Sequence, residues 1–195
     1  MRMNTKKRAV LVGFVLLLLV CAILIGYGMG NMRAKIAIQN FSKQIESMDF
    51  NNLTLTIYYM DPHLLTLYPL DVNTLIDVCG EQKIVVNGSI LEEHIDLLRQ
   101  VKNAKLKPVS HKIYMDARIY YIFEANGKGK ILDVVMWGAH EDVDEEAIFV
   151  NGVSVECEEV FFDVIMPFLP EYIANELATY IEWYKNNNTV IEVGK

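Results

Sequence analysis

The side chains able to do chemistry near neutral pH are few. Four histidines, His63, His94, His111 and His140, could serve as general acids, general bases or zinc ligands. None has the spacing of a zinc site. His140-Glu141 begins an H-E-x-x-H pattern, but position 144 is Asp and the surrounding stretch reads as a loop. Glu92-Glu93-His94 matches the end of H-x-x-E-H, yet Ile90 stands where the first ligand belongs. His94 therefore reads as a shoulder residue of a helix, and His63 and His111 as loop or strand-end residues.

Glu141, Asp142, Asp144, Glu145 and Glu146 could offer oxygens to calcium. A calcium loop also needs acceptors at alternate positions and a central glycine for its sharp turn. The glycine is missing, so the run reads as a solvated acidic loop. Cys79 and Cys157 could pair if the domain lies in an oxidising compartment. Such a bridge would close a loop of about 78 residues, worth roughly 4.5 kcal/mol in chain entropy. Two separate buried thiols are the alternative, and no C-x-x-C is present.

Phosphate motifs are equally sparse. The strand-to-helix step Asn87-Gly88-Ser89 could turn backbone N–H groups toward an anion, but it lacks a glycine-rich loop and a Lys-Ser/Thr pair. There is no G-x-S-x-G elbow, Walker loop or dinucleotide fingerprint. Tyr58, Tyr59, Tyr120, Tyr121 and Trp137 alternate with aliphatics at strand spacing, as core aromatics do. If Tyr58, Tyr120 and Trp137 shared one exposed sheet face, they would form a binding platform. The sequence thus assigns no catalytic, cofactor-binding or metal-binding residue and implies no cofactor.

Charge narrows the partners. After residue 32 the chain carries 14 basic against 25 acidic residues, a formal charge of −11. Phosphate repulsion therefore argues against nucleic acid as a partner. The charge is also segregated. Arg99, Lys102, Lys105, Lys107, Lys112 and Arg118 form a basic block with one acid, Asp116, whereas residues 131–184 hold 13 acids and no Lys or Arg. The blocks either neutralise each other or leave the basic one to touch an anionic envelope surface.

The strongest element lies at the start. Residues 9–32 contain no charged side chain across 24 positions. At about 1.5 Å per residue they reach roughly 36 Å as a helix, enough for a hydrocarbon core of about 30 Å. Arg2, Lys6, Lys7 and Arg8 precede the stretch, against Arg33 and Lys35 just after it. This bias favours an N-terminus inside and a C-terminal domain outside. Cleavage as a signal peptide is the competing reading, with Gly26-Tyr-Gly28 and Gly28-Met-Gly30 as candidate sites. A lipoprotein site at Cys21 fits less well, because Val20 precedes it where a small residue is needed. Ala22, Gly26 and Gly30 recur every four residues, a stripe through which two such helices could form a homodimer.

The remaining elements read as α+β: a single N-terminal transmembrane helix, then one compact domain with a mainly antiparallel sheet of five or six strands and three to four packed helices. The expected organisation is a basic flank at 1–8, the span at 9–32, a juxtamembrane helix at 33–50, an extracytoplasmic domain at 51–185 and a flexible tail at 186–195. Ile38, Phe41, Ile45 and Met48 make the apolar stripe of the juxtamembrane helix. Residues 53–60 alternate as a strand. Asp71 caps a helix that closes at Gly80, and 83–87 is a short strand. Ser89 and Glu92 form a capping box for a helix to about Lys102. Residues 112–124 and 130–137 form a hairpin about Asn126-Gly-Lys-Gly129, and 147–155 a second about Asn151-Gly152. Residues 158–168 fit helix or strand, and Pro170 opens the last helix.

Together these features predict a membrane-anchored extracytoplasmic binding or modulator domain without enzymatic activity, acting on a membrane or envelope protein. A cell-envelope hydrolase or metal-dependent enzyme, its site assembled only in space from the 94, 111 and 140 regions, is the alternative.

Overall fold

The computed structural model describes residues 15, 17, 32–61, 64, 66–80, 82–107, 109, 115–136 and 147–192, with side chains of the last helix as far as Glu182. The class is α+β: a six-stranded antiparallel sheet and several helices. The strands are β1 (Leu53–Tyr59), β2 (Ile84–Asn87), β3 (Ile119–Ala125), β4 (Gly129–Met136), β5 (Ala147–Val150) and β6 (Val153–Glu156). They lie in the order β2-β1-β3-β4-β5-β6, each antiparallel to its neighbours.

The helices are α1 (residues 32–46), α2 (Val72–Cys79), α3 (Gly88–Glu93), α4 (Ile95–Gln100), α5 (Val160–Asp163) and α6 (Glu171–Glu192). Among the described residues no helix is long and apolar enough to cross a membrane. The expected span at 9–32, with Cys21 and the Ala22, Gly26 and Gly30 stripe, lies outside those residues. The exceptions are Val15, Leu17 and Met32, all helical and exposed.

Period-2 alternation sends side chains to the two sheet faces. One face carries Leu53, Leu55 and Ile57 of β1, Ile119, Tyr121 and Phe123 of β3, and Leu132 and Val134 of β4. These pack beneath α1, α3, α4, α5 and α6 as the main core. The opposite face carries Tyr120 and Val135, which pack with Met60, Leu70, Ala117 and with Leu75 and Cys79 of α2. β1 is therefore covered on both sides, and even Thr56 is buried.

Several boundaries differ from the sequence reading, each for a local reason. The apolar stripe of α1 holds at Ile38, Phe41 and Ile45, but Met48 is exposed. Met48 takes a left-handed φ of 54°, which ends the helix and turns the chain into a 3-10 segment at Phe50–Asn52. Ser89 and Glu92 do not make the expected capping box. Asn87 is the N-cap instead, with no side-chain cap bond, because α3 already begins at Gly88. Gly88 packs so tightly that an added Cβ would lie 1.5 Å from the carbonyl oxygen of Phe50.

The helix expected to run to Lys102 is broken at His94 into α3 and α4. The strand expected from Lys112 begins only at Ile119. Just before it, Ala117 N–H donates to Leu70 O at 2.8 Å and Asp116 accepts from Leu70 N–H at 2.9 Å, so this segment bonds a loop. Residues 112–114 lie outside the described residues. Residues 158–168 resolve as α5 and a 3-10 turn at Met166–Phe168. α6 starts at Glu171, with Pro170 accepting from Ala174 N–H, and continues helically past Asn186 to Glu192.

A candidate anion-binding groove

α1 presents two adjacent stripes. Ala34, Ile38, Phe41 and Ile45 face the core, and Phe41 meets Phe123 ring to ring at 4.6 Å. Beside them Arg33, Ile36, Ala37, Asn40, Lys43 and Gln44 line one wall of an open cavity of about 670 Å³. Arg33 to Gln44 is eleven helical steps, about 16 Å of groove. The facing wall comes from a distant part of the chain: Lys128, Lys130, Ile131 and Asn151.

Local backbone chemistry brings that second wall into place. The β3–β4 turn uses Gly127 and Gly129 at φ 76° and 70°, values that favour glycine. A bulge then interrupts the ladder: Phe123 pairs with Leu132 and Glu124 with Lys130, leaving Ile131 as the extra residue. Bulges re-aim side chains, and here Ile131 joins the main core cluster and the groove lining. The β5–β6 turn, Asn151-Gly152, has both residues at positive φ, the type I′ pattern of Asn-Gly hairpins. Asn151 N–H donates to Asp133 O, and its side-chain Oδ1 accepts from Asp133 N–H, both at 2.9 Å. The turn is thereby stitched to β4 beside Lys130.

Two of the groove's lysines are held by buried groups. Lys128 Nζ donates to Gln44 Oε1 at 2.9 Å, while Gln44 Nε2 donates to Asp49 O at 3.2 Å. Lys130 Nζ lies 2.7 Å from Asp133 Oδ2, whose carboxylate is buried on the second sheet face. Tyr120 O–H also donates to that oxygen at 3.3 Å. Burial, with the Asp133 charge beside it, pushes the Tyr120 phenol well above its ordinary value. Asp133 Oδ1 has no hydrogen-bond donor among the described residues. An ammonium has three donors, so each anchored lysine keeps donors for a ligand.

Arg33 and Lys43 have no carboxylate partner among the described residues. Among the described residues the lining thus contains four cations and no carboxylate, on a domain whose charge is strongly negative. Ile36, Ala37 and Ile131 give the groove an apolar component. Its chemistry is that of a concave site for an anion with some apolar body attached.

The residues singled out from the sequence lie elsewhere. The basic block at 99–118 is largely neutralised in place. Arg118 is buried and pairs with Asp116 at 3.0 Å, and Lys107 pairs with Glu156 at 3.0 Å, joining the basic and acidic blocks. Arg99 and Lys102 face Asp96 and Glu46 at 3.5 and 3.9 Å. His94 meets Phe168 edge-on, with ring centroids 5.0 Å apart. His63, His111, His140, Trp137 and the acidic run at 141–146 lie outside the described residues. Tyr58 and Tyr120 do stack on one face, 6.0 Å apart, but Tyr120 is buried among the second cluster and offers no platform.

No disulfide joins Cys79 to Cys157. Cys79, the last residue of α2, is buried in the second cluster, where burial raises its thiol pKa, and Cys157 packs against the main core. Among the described residues no group of three or more His, Cys, Asp or Glu is placed to hold a metal ion. No family model, curated protein or solved structure matches the chain.

A sequence signal for the groove does exist. Arg33, Asn40 and Lys43 follow helical spacing next to the apolar stripe, and Lys128 and Lys130 flank a glycine in a hairpin tip. Only the fold shows that these two signals face each other.

Proposed function

We propose that this chain is a membrane-anchored extracytoplasmic binding domain, non-enzymatic, that takes an anionic group into the groove between α1 and the β3–β4 hairpin. The apolar stretch at 9–32 is the anchor, with the N-terminus inside. The observation that carries the reading is the convergence of Arg33, Lys43, Lys128 and Lys130 on one cavity that no carboxylate lines among the described residues. Cations clustered by chance on a domain of this charge would be expected to meet acids, as Lys107 and Arg118 do, whereas of the four only Lys130 pairs with a carboxylate among the described residues.

The test is a set of titrations on the intact chain in neutral detergent with inorganic phosphate, sulfate and citrate. Binding is expected to weaken with rising salt and to fall at least tenfold in Arg33→Gln/Lys43→Gln/Lys128→Gln. Absence of binding by every anion to folded protein would overturn the reading.

A further inference from the structure

Resting on that reading of the groove as an anion site, we propose that its ligand is the phosphate headgroup of an anionic phospholipid in the leaflet from which α1 emerges. Three observations favour a lipid over a soluble anion. Arg33, one end of the groove, is the first residue after the apolar stretch at 9–32, so an anchored chain holds that end at the headgroup layer. The same cavity carries Ile36, Ala37 and Ile131 beside its cations, and Ile36 remains 45% exposed. A small inorganic anion needs no such wall, whereas the glycerol and first acyl carbons of a lipid would cover it. The groove is also partly open to solvent, as a site must be if its ligand stays in a bilayer.

The roles follow from placement. Arg33 and Lys43, which have no carboxylate partner among the described residues, are the cations of the helix wall. Lys128, fixed by Gln44, supplies an oriented ammonium opposite them. Lys130 is tied to Asp133, which offsets its charge, so it contributes less than the other three. Selectivity is for net negative headgroups, because a zwitterionic headgroup brings its own cation into a site already rich in them.

The experiment reconstitutes the full chain in nanodiscs containing equal phosphatidylglycerol and phosphatidylcholine, then counts retained lipids by native mass spectrometry. Wild type is expected to retain phosphatidylglycerol at least fivefold over phosphatidylcholine. Arg33→Gln/Lys43→Gln/Lys128→Gln is expected to bring the ratio near one, with Lys130 kept so that Asp133 stays compensated. Arg33→Gln/Lys43→Gln, which spares the Lys128–Gln44 bond, is expected to lie between and guards against a folding defect. A preference that survives both variants would place lipid selection outside the groove and overturn the proposal. Millimolar glycerol 3-phosphate is expected to compete for the same cations and displace the retained lipid, whereas lipid retention unchanged by it would place the lipid outside the groove, overturning the lipid assignment but leaving the anion site. No lipid preference, with anion binding intact in the titrations above, would do the same. No preference together with no anion binding would end both.

Discussion

Lys128 Nζ and Gln44 Oε1, 84 positions apart in sequence, lie 2.9 Å apart and tie the tip of the β3–β4 hairpin to the last turn of α1. Gln44 is buried and its amide nitrogen is committed to Asp49 O, so its orientation is fixed before the lysine arrives. The pair therefore does two things at once: it closes one end of the groove and aims a cation into it. Gln44→Ala and Lys128→Ala are each expected to destabilise the fold, Gln44→Ala by about 1–2 kcal/mol because Asp49 O also loses its donor. Their double-mutant cycle is expected to show a coupling of about 0.5–1 kcal/mol, reduced because Lys128 is solvent-exposed. Chemical denaturation of the four proteins checks this, and strict additivity would mean that the bond contributes nothing.

Arg118 is the opposite kind of cation, spent wholly on structure. It pairs with Asp116, donates to Thr66 Oγ1 at 3.1 Å and touches Met60 Sδ at 3.2 Å, so it pins the loop after β1 over the second sheet face. Removing one member of a buried pair leaves the other charge uncompensated. Arg118→Ala is expected to cost about 3 kcal/mol, while Leu67→Ser on the same loop, where the side chain is 95% exposed, is expected to change stability by less than about 0.5 kcal/mol. Thermal melts of the two variants test the contrast, and a tolerant Arg118 would show that this loop is not held from below.

Gly88 sets the position of α3, and through it the placement of Leu91 in the core. A Cβ there would meet Phe50 O at 1.5 Å and Asn51 N at 3.1 Å, both backbone atoms that cannot swing away. Gly88→Ala is expected to destabilise by about 3 kcal/mol or more, the upper range for overpacking. Gly127→Ala, where φ is 76° but no atom lies within 4 Å of the added carbon, is expected to cost only about 1 kcal/mol of backbone strain. Denaturation midpoints that failed to rank the two in this order would contradict the contact.

These contacts also explain which parts of the structure could be read from the chain. The strand at 53–59, the Asn151-Gly152 turn and the Asp71 cap, which accepts Thr74 N–H at 2.8 Å, are encoded within a few residues and form as expected, although β1 is covered on both faces where alternation implies one. The starts of α3 and β3 differ from their local sequence signals because each is decided by a distant partner: Phe50 for Gly88, and Leu70 for Asp116 and Ala117. Charge counted along the chain drew attention to the block at 99–118. Folding spends much of that block on Asp116, Glu156 and the exposed neighbours Asp96 and Glu46. The groove's cations are scattered at 33, 43, 128 and 130, and no local count could gather them. Their convergence depends on a bulge at Ile131 and on α1 lying against the hairpin.

Tyr120 and Tyr121 are adjacent in sequence yet point to opposite sheet faces, and both phenols are pushed well above the ordinary value of 10.0 by burial. Tyr121 is fully enclosed and donates to Phe161 O at 2.9 Å, linking β3 to α5. For an acid whose folded pKa is raised, the unfolded chain loses its proton first. Above pH 10 the unfolded state then binds fewer protons than the folded one, so stability falls as pH rises. Wild type is therefore expected to lose stability above about pH 10, with Tyr121→Phe and Tyr120→Phe each removing part of the slope. At neutral pH Tyr121→Phe is expected to cost about 1 kcal/mol for the lost bond to Phe161 O. Tyrosinate absorbance should agree: of the ten tyrosines, these two are expected to ionise only as the fold gives way. A smooth titration of all ten while the protein stays folded would show that neither phenol is shielded.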